Sequence, residues 1–147
     1  MQKLCIFGQR IAMTKHEIVL MSITGEDKPG VTSSLTEILS KHNATILDIG
    51  QANIHQSLSL GILFRLDPVM QGNILKDLLF KSYELGVQAK FTPIEREDYD
   101  QWVSRQGKES YVITVLGQKI EANQLAHVTK VIAEQGLNID TIKRLTG

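Results

Sequence analysis

The sequence predicts an α+β fold of the ferredoxin-like kind, with the element order β-α-β-β-α-β and both helices on one face of an antiparallel sheet. Three observations support this prediction. β-Rich segments alternate with segments of helical period, glycine and proline separate them, and the same pattern starts again after residue 108. The composition, 42% hydrophobic and 22% charged over 147 residues, is that of a folded globular chain.

The first strand and the first helix are predicted from short local patterns. Ile18–Ile23 is β-rich and is followed by Gly25, where the strand is predicted to stop. The pair Pro29–Gly30 marks the start of a helix, and the pair His42–Asn43 marks its end. One face of this helix is predicted to be buried through residues at helical spacing, which are Val31, Leu35, Ile38 and Leu39.

Two strands and a second helix follow. Thr45–Ile54 and Ser57–Leu66 are predicted strands joined by a turn at His55–Gln56. Asp67–Pro68 predicts the start of the second helix, because aspartate is a good N-cap and proline fits the first helical position. Val87–Phe91 is predicted to be the fourth strand. The buried face of the second helix is predicted to consist of Ile74, Leu75, Leu78 and Leu79.

A connector helix and a second copy of the pattern come next. Thr92–Glu95 has the form of a capping box with proline at the first helical position, so it predicts a helix there. A strand at Tyr111–Gly117, a helix, and a strand near Gly136–Ile139 repeat the first half of the pattern. The connector is predicted to be packed through a face formed by Tyr99, Trp102 and Val103.

The predicted organisation has four parts: a leader or added strand over 1–15, a first domain over 16–92, a helical connector over 93–108 and a partial second domain over 109–147. In the ferredoxin-like order the first and second strands are not neighbours, because the third strand lies between them. The second domain is therefore expected to leave a gap in its sheet. A partner chain, the leader or further residues would fill it, and we interpret the chain as a fragment of a longer protein or a truncated product.

Charge and cysteine content exclude several classes of function. Sixteen Lys+Arg balance sixteen Asp+Glu, which argues against a nucleic-acid-binding protein because such proteins carry a basic surface. No apolar run approaches the roughly 20 residues that cross a bilayer. The single cysteine, Cys5, excludes an internal disulfide. We therefore expect a cytoplasmic protein with no nucleic-acid or membrane partner.

The sequence shows no catalytic, metal-binding or nucleotide-binding pattern. It has no GxSxG motif for a serine nucleophile, and its four histidines show no metal-ligand spacing. Val31–Thr32 stands where a phosphate-binding loop needs Lys-Ser/Thr. Asp98–Asp100 matches DxD only superficially, because charged residues rather than a buried strand precede it. We therefore assign no catalytic residue and no metal ligand.

The loop from Thr24 to Val31 is the most informative feature for function. Pro29–Gly30 opens a helix, whose free backbone N–H groups form an anion site suited to a carboxylate. Gly30 allows a ligand to approach the backbone closely, and Asp27 is placed to attract an ammonium group. A zwitterionic α-amino acid therefore fits better than a phosphate, which Asp27 would repel. The alternative is a capped turn that binds no ligand.

This loop also carries a family resemblance. Ile23–Val31, with the sequence ITGEDKPGV, resembles the signature loop of ACT domains, which are small βαββαβ modules that bind amino acids and regulate metabolic enzymes. Asn43–Gln51 is also typical of them. Together with Gln101–Ser104 and Glu134–Asp140, these segments are similar to the N-terminal regulatory region of long bacterial phosphoserine phosphatases. In that family a catalytic domain, which would use Mg, follows the ACT pair, so no cofactor is expected in this chain.

The resemblance implies where a ligand would bind. In ACT dimers the ligand commonly lies between the first loop of one domain and the second strand of another. The corresponding helix start of the second copy, Lys119–Asn123, has neither proline nor glycine, so a structural role in pairing domains is expected there. The implied ligand-binding residues are Asp27, Pro29, Gly30, Val31, Asp48 and Gln51.

The resemblance also implies a function. We expect an amino-acid-sensing region of a phosphoserine phosphatase, acting in serine biosynthesis. Such a region is expected to form homodimers through its sheets or helices and to bind a small amino acid such as L-serine or glycine. One alternative is a stand-alone ACT regulator of the glycine-cleavage type, and another is a dimerisation scaffold that binds no ligand.

Overall fold

The computed structural model describes residues 17–67, 69, 71–107 and 109–145. The chain divides into two compact units, residues 1–108 and 109–147, and each unit is described by itself. The predicted leader over 1–15 and the predicted helix-start residue Pro68 lie outside the described residues.

The first unit has the predicted ferredoxin-like fold. Its elements in chain order are β1 (Glu17–Glu26), α1 (Val31–Lys41), β2 (Thr45–Ile54), β3 (Ser57–Leu66), α2 (Gln71–Leu85), β4 (Gln88–Ile94) and α3 (Arg96–Arg105). The sheet has the order β2-β3-β1-β4, and all of its neighbouring strands are antiparallel. The predicted fold class is therefore confirmed, and the predicted bounds of β2 and β3 match the observed ones.

One face of the sheet packs against the helices and forms the core. Directly paired residues of neighbouring strands share a face, so Met21 and Ile23 of β1 lie on the same face as their β3 partners Ile62 and Leu60. The helices contribute Val31, Leu35 and Leu39 from α1, and Ile74 and Leu78 from α2. The prediction that Leu79 is buried is wrong, because α2 leaves 55% of its surface exposed.

Two predicted helix starts differ from the observed ones. α2 begins at Gln71 rather than beside Asp67, whose Oδ1 accepts a hydrogen bond from the N–H of Val69 (3.0 Å) ahead of the helix. The capping box predicted at Thr92–Glu95 is wrong. Most of that segment pairs with β1 in the sheet, and α3 begins only at Arg96. Sheet pairing therefore overrides the local helix signal of threonine and proline.

The connector helix α3 is exposed rather than packed. None of its residues is buried, so the prediction of a packed connector is wrong. Tyr99 and Trp102 pack on each other instead, with their ring centroids 5.7 Å apart. A local pair of this kind satisfies the aromatic residues without a core.

The second unit contains one helix, α4 (Ala122–Glu134), within residues 109–145. The strands predicted at Tyr111–Gly117 and near Gly136–Ile139 do not form there. A strand needs a neighbour for its backbone hydrogen bonds, and in the first unit β3 is that neighbour for both β1 and β2. The described part of the second unit has no counterpart of β3, so its apolar segments stay open to solvent, and Val112 is 93% exposed.

Candidate functional site

The loop between β1 and α1 is held at one end of the sheet by two neighbouring segments. The N–H of Asp27 donates to the carbonyl of Gln56 in the β2–β3 turn (2.8 Å). Gly25 lies against Val87, just before β4, and a Cβ atom at Gly25 would lie 2.9 Å from Val87 Cγ1. Only a residue without a side chain allows this close approach. The loop is therefore fixed from both sides.

The N-terminus of α1 offers free backbone donors. Gly30 is the N-cap residue, its φ of 92° is left-handed, and no side chain caps the helix. The N–H of Ser34 donates to the carbonyl of Gly30 (2.9 Å), but the N–H groups of Thr32 and Ser33 have no acceptor among the described residues. Such donors attract an anion, and the helix dipole strengthens the attraction.

Side chains from the loop, from α1 and from β2 meet beside this helix start. Asn53 Nδ2 donates to Asp27 Oδ2 (2.6 Å), and Thr32 Oγ1 donates to Gln51 Oε1 (2.7 Å). The structure therefore brings the predicted residues Asp27 and Gln51 to one end of the sheet. Sequence reasoning missed Asn53, although it lies two residues after Gln51 and strand alternation places such a pair on one face.

Asp48 lies on the other face of the sheet. It pairs with Leu63, whereas Gln51 pairs with Leu60, whose side chain is buried beneath the helices. The carboxylate of Asp48 accepts a hydrogen bond from the N–H of the next residue, Ile49 (2.9 Å). Residues three apart in a strand point to opposite faces, so alternation alone separates Asp48 from Gln51. Within one chain, the structure does not bring Asp48 to the loop.

The other predicted ligand residues differ in burial. Pro29 is exposed, whereas the side chain of Val31 is buried in the core, so Val31 can offer a ligand only its backbone. Lys28 Nζ lies 3.7 Å from Glu26 Oε2, and these exposed charges offset each other. The carboxylate of Asp27 therefore gives the loop its net negative charge.

The corresponding helix start in the second unit is partly capped by its own side chains. The N–H of Glu121 donates to Oε1 of Gln124 (2.9 Å), and the N–H of Gln124 donates to Oδ1 of Asn123 (2.8 Å). Lys119 Nζ lies 2.8 Å from Glu121 Oε1. Gln124 is the third residue of its helix, as Ser33 is in α1, so its N–H has an acceptor where that of Ser33 has none among the described residues. The two units therefore differ at one of the positions where an anion would bind.

The described residues hold neither a cluster of metal ligands nor a membrane-spanning helix. They contain no group of three or more His, Cys, Asp or Glu residues that could hold a metal ion. None of their helices combines the length and the apolar character that spanning a bilayer requires. The loop between β1 and α1 is therefore the candidate site that the structure supports best.

Comparisons with known proteins agree on one domain family. Family models of the ACT domain match residues 17–92 and residues 109–147. The chain is 37% identical over 131 residues to phosphoserine phosphatase SerB2 of Mycobacterium tuberculosis, which covers 87% of this chain and 31% of that protein. It is 27% identical over 128 residues to a phosphoserine phosphatase of Streptomyces coelicolor, covering 86% of this chain and 30% of that protein.

The chain thus spans about a third of the length of these two relatives. Among solved structures, an unknown protein from Galdieria sulphuraria has a TM-score of 0.58 to this fold, at 14% identity. That match covers 83% of this chain and 66% of the other. At this identity the likeness shows the fold alone.

Proposed function

Because the chain belongs to the ACT-domain family, we propose that it is an amino-acid-binding regulatory region of a phosphoserine phosphatase. The observation that best supports ligand binding is the uncapped N-terminus of α1 beside the carboxylate of Asp27. The choice of enzyme is supported by the two phosphatases to which most of the chain is similar. In such a protein the phosphatase reaction and its Mg²⁺ would belong to another part of the polypeptide.

The two charges of a free amino acid match the two parts of this site. The carboxylate would accept hydrogen bonds from the N–H groups of Thr32 and Ser33, and the ammonium group would lie against Asp27. Hydrogen bonds to charged groups contribute about 1.5–3 kcal/mol each. A phosphate would meet the same donors but would be repelled by Asp27. The site therefore favours a zwitterion over a simple anion.

Asn53 orients the carboxylate of Asp27. Its amide donates to Oδ2 of Asp27, while Oδ1 has no donor within the described residues. One oxygen of the carboxylate is thus held in place and the other stays open for an ammonium group. We propose a small ligand such as L-serine or glycine, in a homodimer that works in the cytoplasm.

Regulation by this ligand requires unequal affinity for two states of the protein. The loop contacts the β2–β3 turn through Asp27 and the segment before β4 through Gly25. A bound amino acid would change the position of the loop and therefore the geometry of both contacts. It would then favour one arrangement of this end of the sheet over another. This arrangement is the proposed link between ligand binding and the activity of the attached enzyme.

A specific observation favours a second candidate, a dimerisation scaffold that binds no ligand. Asp27 and Thr32 already have partners on β2, in Asn53 and Gln51, without any ligand. A loop that satisfies its own side chains can be purely structural. The free N–H groups of α1 support sensing instead, because a structural turn gains stability when they are capped.

Titration calorimetry with L-serine and glycine tests the sensing proposal. Asp27→Asn keeps the shape of the side chain and removes its charge, so we expect the affinity to fall about tenfold or more, the loss of one charge-assisted hydrogen bond. Asp100→Asn, on the exposed helix α3, is the matched control and should bind like the wild type.

Two results would contradict sensing. One is the absence of binding heat for the wild type with every amino acid tested. The other is equal affinity in the wild type and Asp27→Asn, which would show that the loop does not hold the ammonium group. Inorganic phosphate serves as a probe of the anion site alone, and we expect it to bind more weakly than L-serine.

A further inference from the structure

The turn between β2 and β3 has an unusual backbone conformation. Ile54 pairs with Ser57, so the turn consists of two residues, His55 and Gln56. The φ of His55 is 58°, in the left-handed region, whereas that of Gln56 is not positive. When only the first residue of a two-residue hairpin turn has a positive φ, glycine is preferred there, because a Cβ atom makes the conformation costly. His55 therefore occupies a position that suits glycine.

The hairpin formed by β2 and β3 holds Asp27 at two atoms. The N–H of Asp27 donates to the carbonyl of Gln56 (2.8 Å), which extends the ladder between β1 and β3 beyond its last pair, Glu26 and Ser57. The carboxylate of Asp27 accepts a hydrogen bond at Oδ2 from Asn53 Nδ2 (2.6 Å). Asn53 precedes the turn and Gln56 belongs to it. The backbone between them therefore sets where the two groups lie relative to each other.

We propose that His55 is a positioning residue of the candidate amino-acid site. Its left-handed backbone brings the amide of Asn53 and the carbonyl of Gln56 onto Asp27 together. These two contacts fix the carboxylate that would hold the ammonium group of the ligand. The inference rests on the proposed function and extends it to a residue that need not touch the ligand.

The backbone of His55 carries this role rather than its imidazole. The side chain is exposed, whereas the contacts to Asp27 come from the residues on either side of it. Residues with a sparsely populated backbone conformation are concentrated at binding sites, where neighbouring contacts hold them in place. At His55 the neighbouring contacts are the two hydrogen bonds to Asp27.

Among the described residues one other non-glycine residue has a left-handed backbone, and its surroundings differ. Asn43 has a φ of 53° and follows α1 at the opposite end of β2. Its N–H donates to the carbonyl of Ser40 (3.1 Å), so its conformation ends a helix, a common use of a left-handed residue. Asparagine also tolerates this backbone well. Helix termination accounts for Asn43, and it leaves the conformation of His55 to be explained by Asp27.

Titration calorimetry with L-serine on the full chain tests the role of His55. Valine is branched at Cβ and strongly disfavours a left-handed backbone. His55→Val should therefore lower the apparent affinity about tenfold, in proportion to the fraction of molecules that keep the turn. His55→Gly and His55→Asn adopt this backbone readily and should bind within about threefold of the wild type. Asn43→Val is the matched control, because it imposes the same restriction at the other end of β2 and should leave the affinity unchanged.

Hydrogen exchange of the Asp27 amide measures the same contact without a ligand. We expect exchange about tenfold faster in His55→Val, because local opening of the turn breaks the bond to Gln56. Exchange at Asp27 should stay at the wild-type rate in His55→Gly and Asn43→Val. Circular dichroism checks that each variant folds. If His55→Val does not fold, His55→Ala takes its place, since its Cβ atom meets the same restriction in a milder form.

Three results would overturn the positioning role. The first is wild-type exchange of Asp27, or wild-type affinity, in the valine variant of His55. The second is an equal loss in Asn43→Val, which would show a general effect of strain. The third is weak binding by His55→Gly, which would assign the effect to the imidazole.

Failure of the proposed function gives a different result. A wild type that binds no amino acid contradicts sensing alone, and the exchange of Asp27 then decides the role of His55. Fast exchange in His55→Val would support that role in holding the loop, and unchanged exchange would overturn it.

Discussion

The two units of this chain contain the same opening sequence pattern of strand, helix and strand, and among the described residues only the first unit builds a sheet. In the first unit β3 lies between β1 and β2, and Ile23 of β1 is fully buried. In the second unit Val115, in a comparable strand-like run, stays 41% exposed and forms no strand. The difference shows that a β-rich segment becomes a strand only when a neighbour accepts its hydrogen bonds.

The two helix starts show a second contrast. α1 begins after Gly30 without a side-chain cap, and the N–H groups of Thr32 and Ser33 have no acceptor in the described part of the chain. α4 begins after Glu121, where Gln124 and Asn123 occupy backbone donors. An unsatisfied helix start costs stability, so its presence in the well-packed unit and not in the other is consistent with a binding role.

The largest expected difference between the units is in their response to loss of an apolar side chain. Phe64→Ala removes a fully buried ring from β3 and should lower the free energy of unfolding by about 3–5 kcal/mol. Val112→Ala, at a position that is 93% exposed, should change it by less than about 0.5 kcal/mol. Urea unfolding followed by circular dichroism measures both. Equal effects would mean that the second unit has a core of its own.

A smaller effect is expected where the loop meets β4. Gly25→Ala places a Cβ atom 2.9 Å from Val87 Cγ1 and 3.2 Å from its Cα, so we expect a loss of about 1–3 kcal/mol of stability. Gly50→Ala is the matched control, because nothing lies within 4 Å of its Cβ position and its cost should stay below about 0.5 kcal/mol. Thermal unfolding compares them, and an unchanged Gly25→Ala would show that the loop is not fixed at this point.

The smallest effect is expected at the contact between α1 and β2. Thr32→Val removes the hydrogen bond to Gln51 and should cost about 0.5–1 kcal/mol, with faster hydrogen exchange in β2. Thr36→Val removes only hydrogen bonds to the carbonyls of Thr32 and Ser33 within the same helix, so it should leave the exchange of β2 unchanged. If both variants leave β2 equally protected, the bond between Thr32 and Gln51 does not hold the strand.

Much of the fold could be predicted from local patterns. The bounds of β2 and β3 follow from alternation and from the turn between them, because a hairpin is specified by nearby residues. The capping box at Thr92–Glu95 was misleading, since pairing with β1 is a long-range effect that local spacing does not contain. Leu79 belongs to the helical apolar pattern of α2, but the core covers Ile74 and Leu78 and leaves Leu79 55% exposed. Local spacing does not show how far around the helix the core extends.

The sequence predicts the part of the candidate site that lies in the loop between β1 and α1 better than the part that lies on β2. Proline, glycine and aspartate in one short segment indicate a helix start next to a charge. The neighbouring strand depends on which face each residue occupies, and alternation joins Gln51 to Asn53 and separates both from Asp48. The hydrogen bonds from β2 to Asp27 and Thr32 require the three-dimensional structure.

The central claim is that the N-terminus of α1 binds a zwitterionic amino acid and that of α4 does not. Titration of the ¹⁵N-labelled chain with L-serine, followed by NMR, tests it most directly. We predict saturable shifts of the backbone amides of Thr32 and Ser33 and of the side-chain amide of Asn53, with no change at Ala122–Gln124. Shifts confined to α4, or none at any amide at saturating L-serine, would contradict the claim.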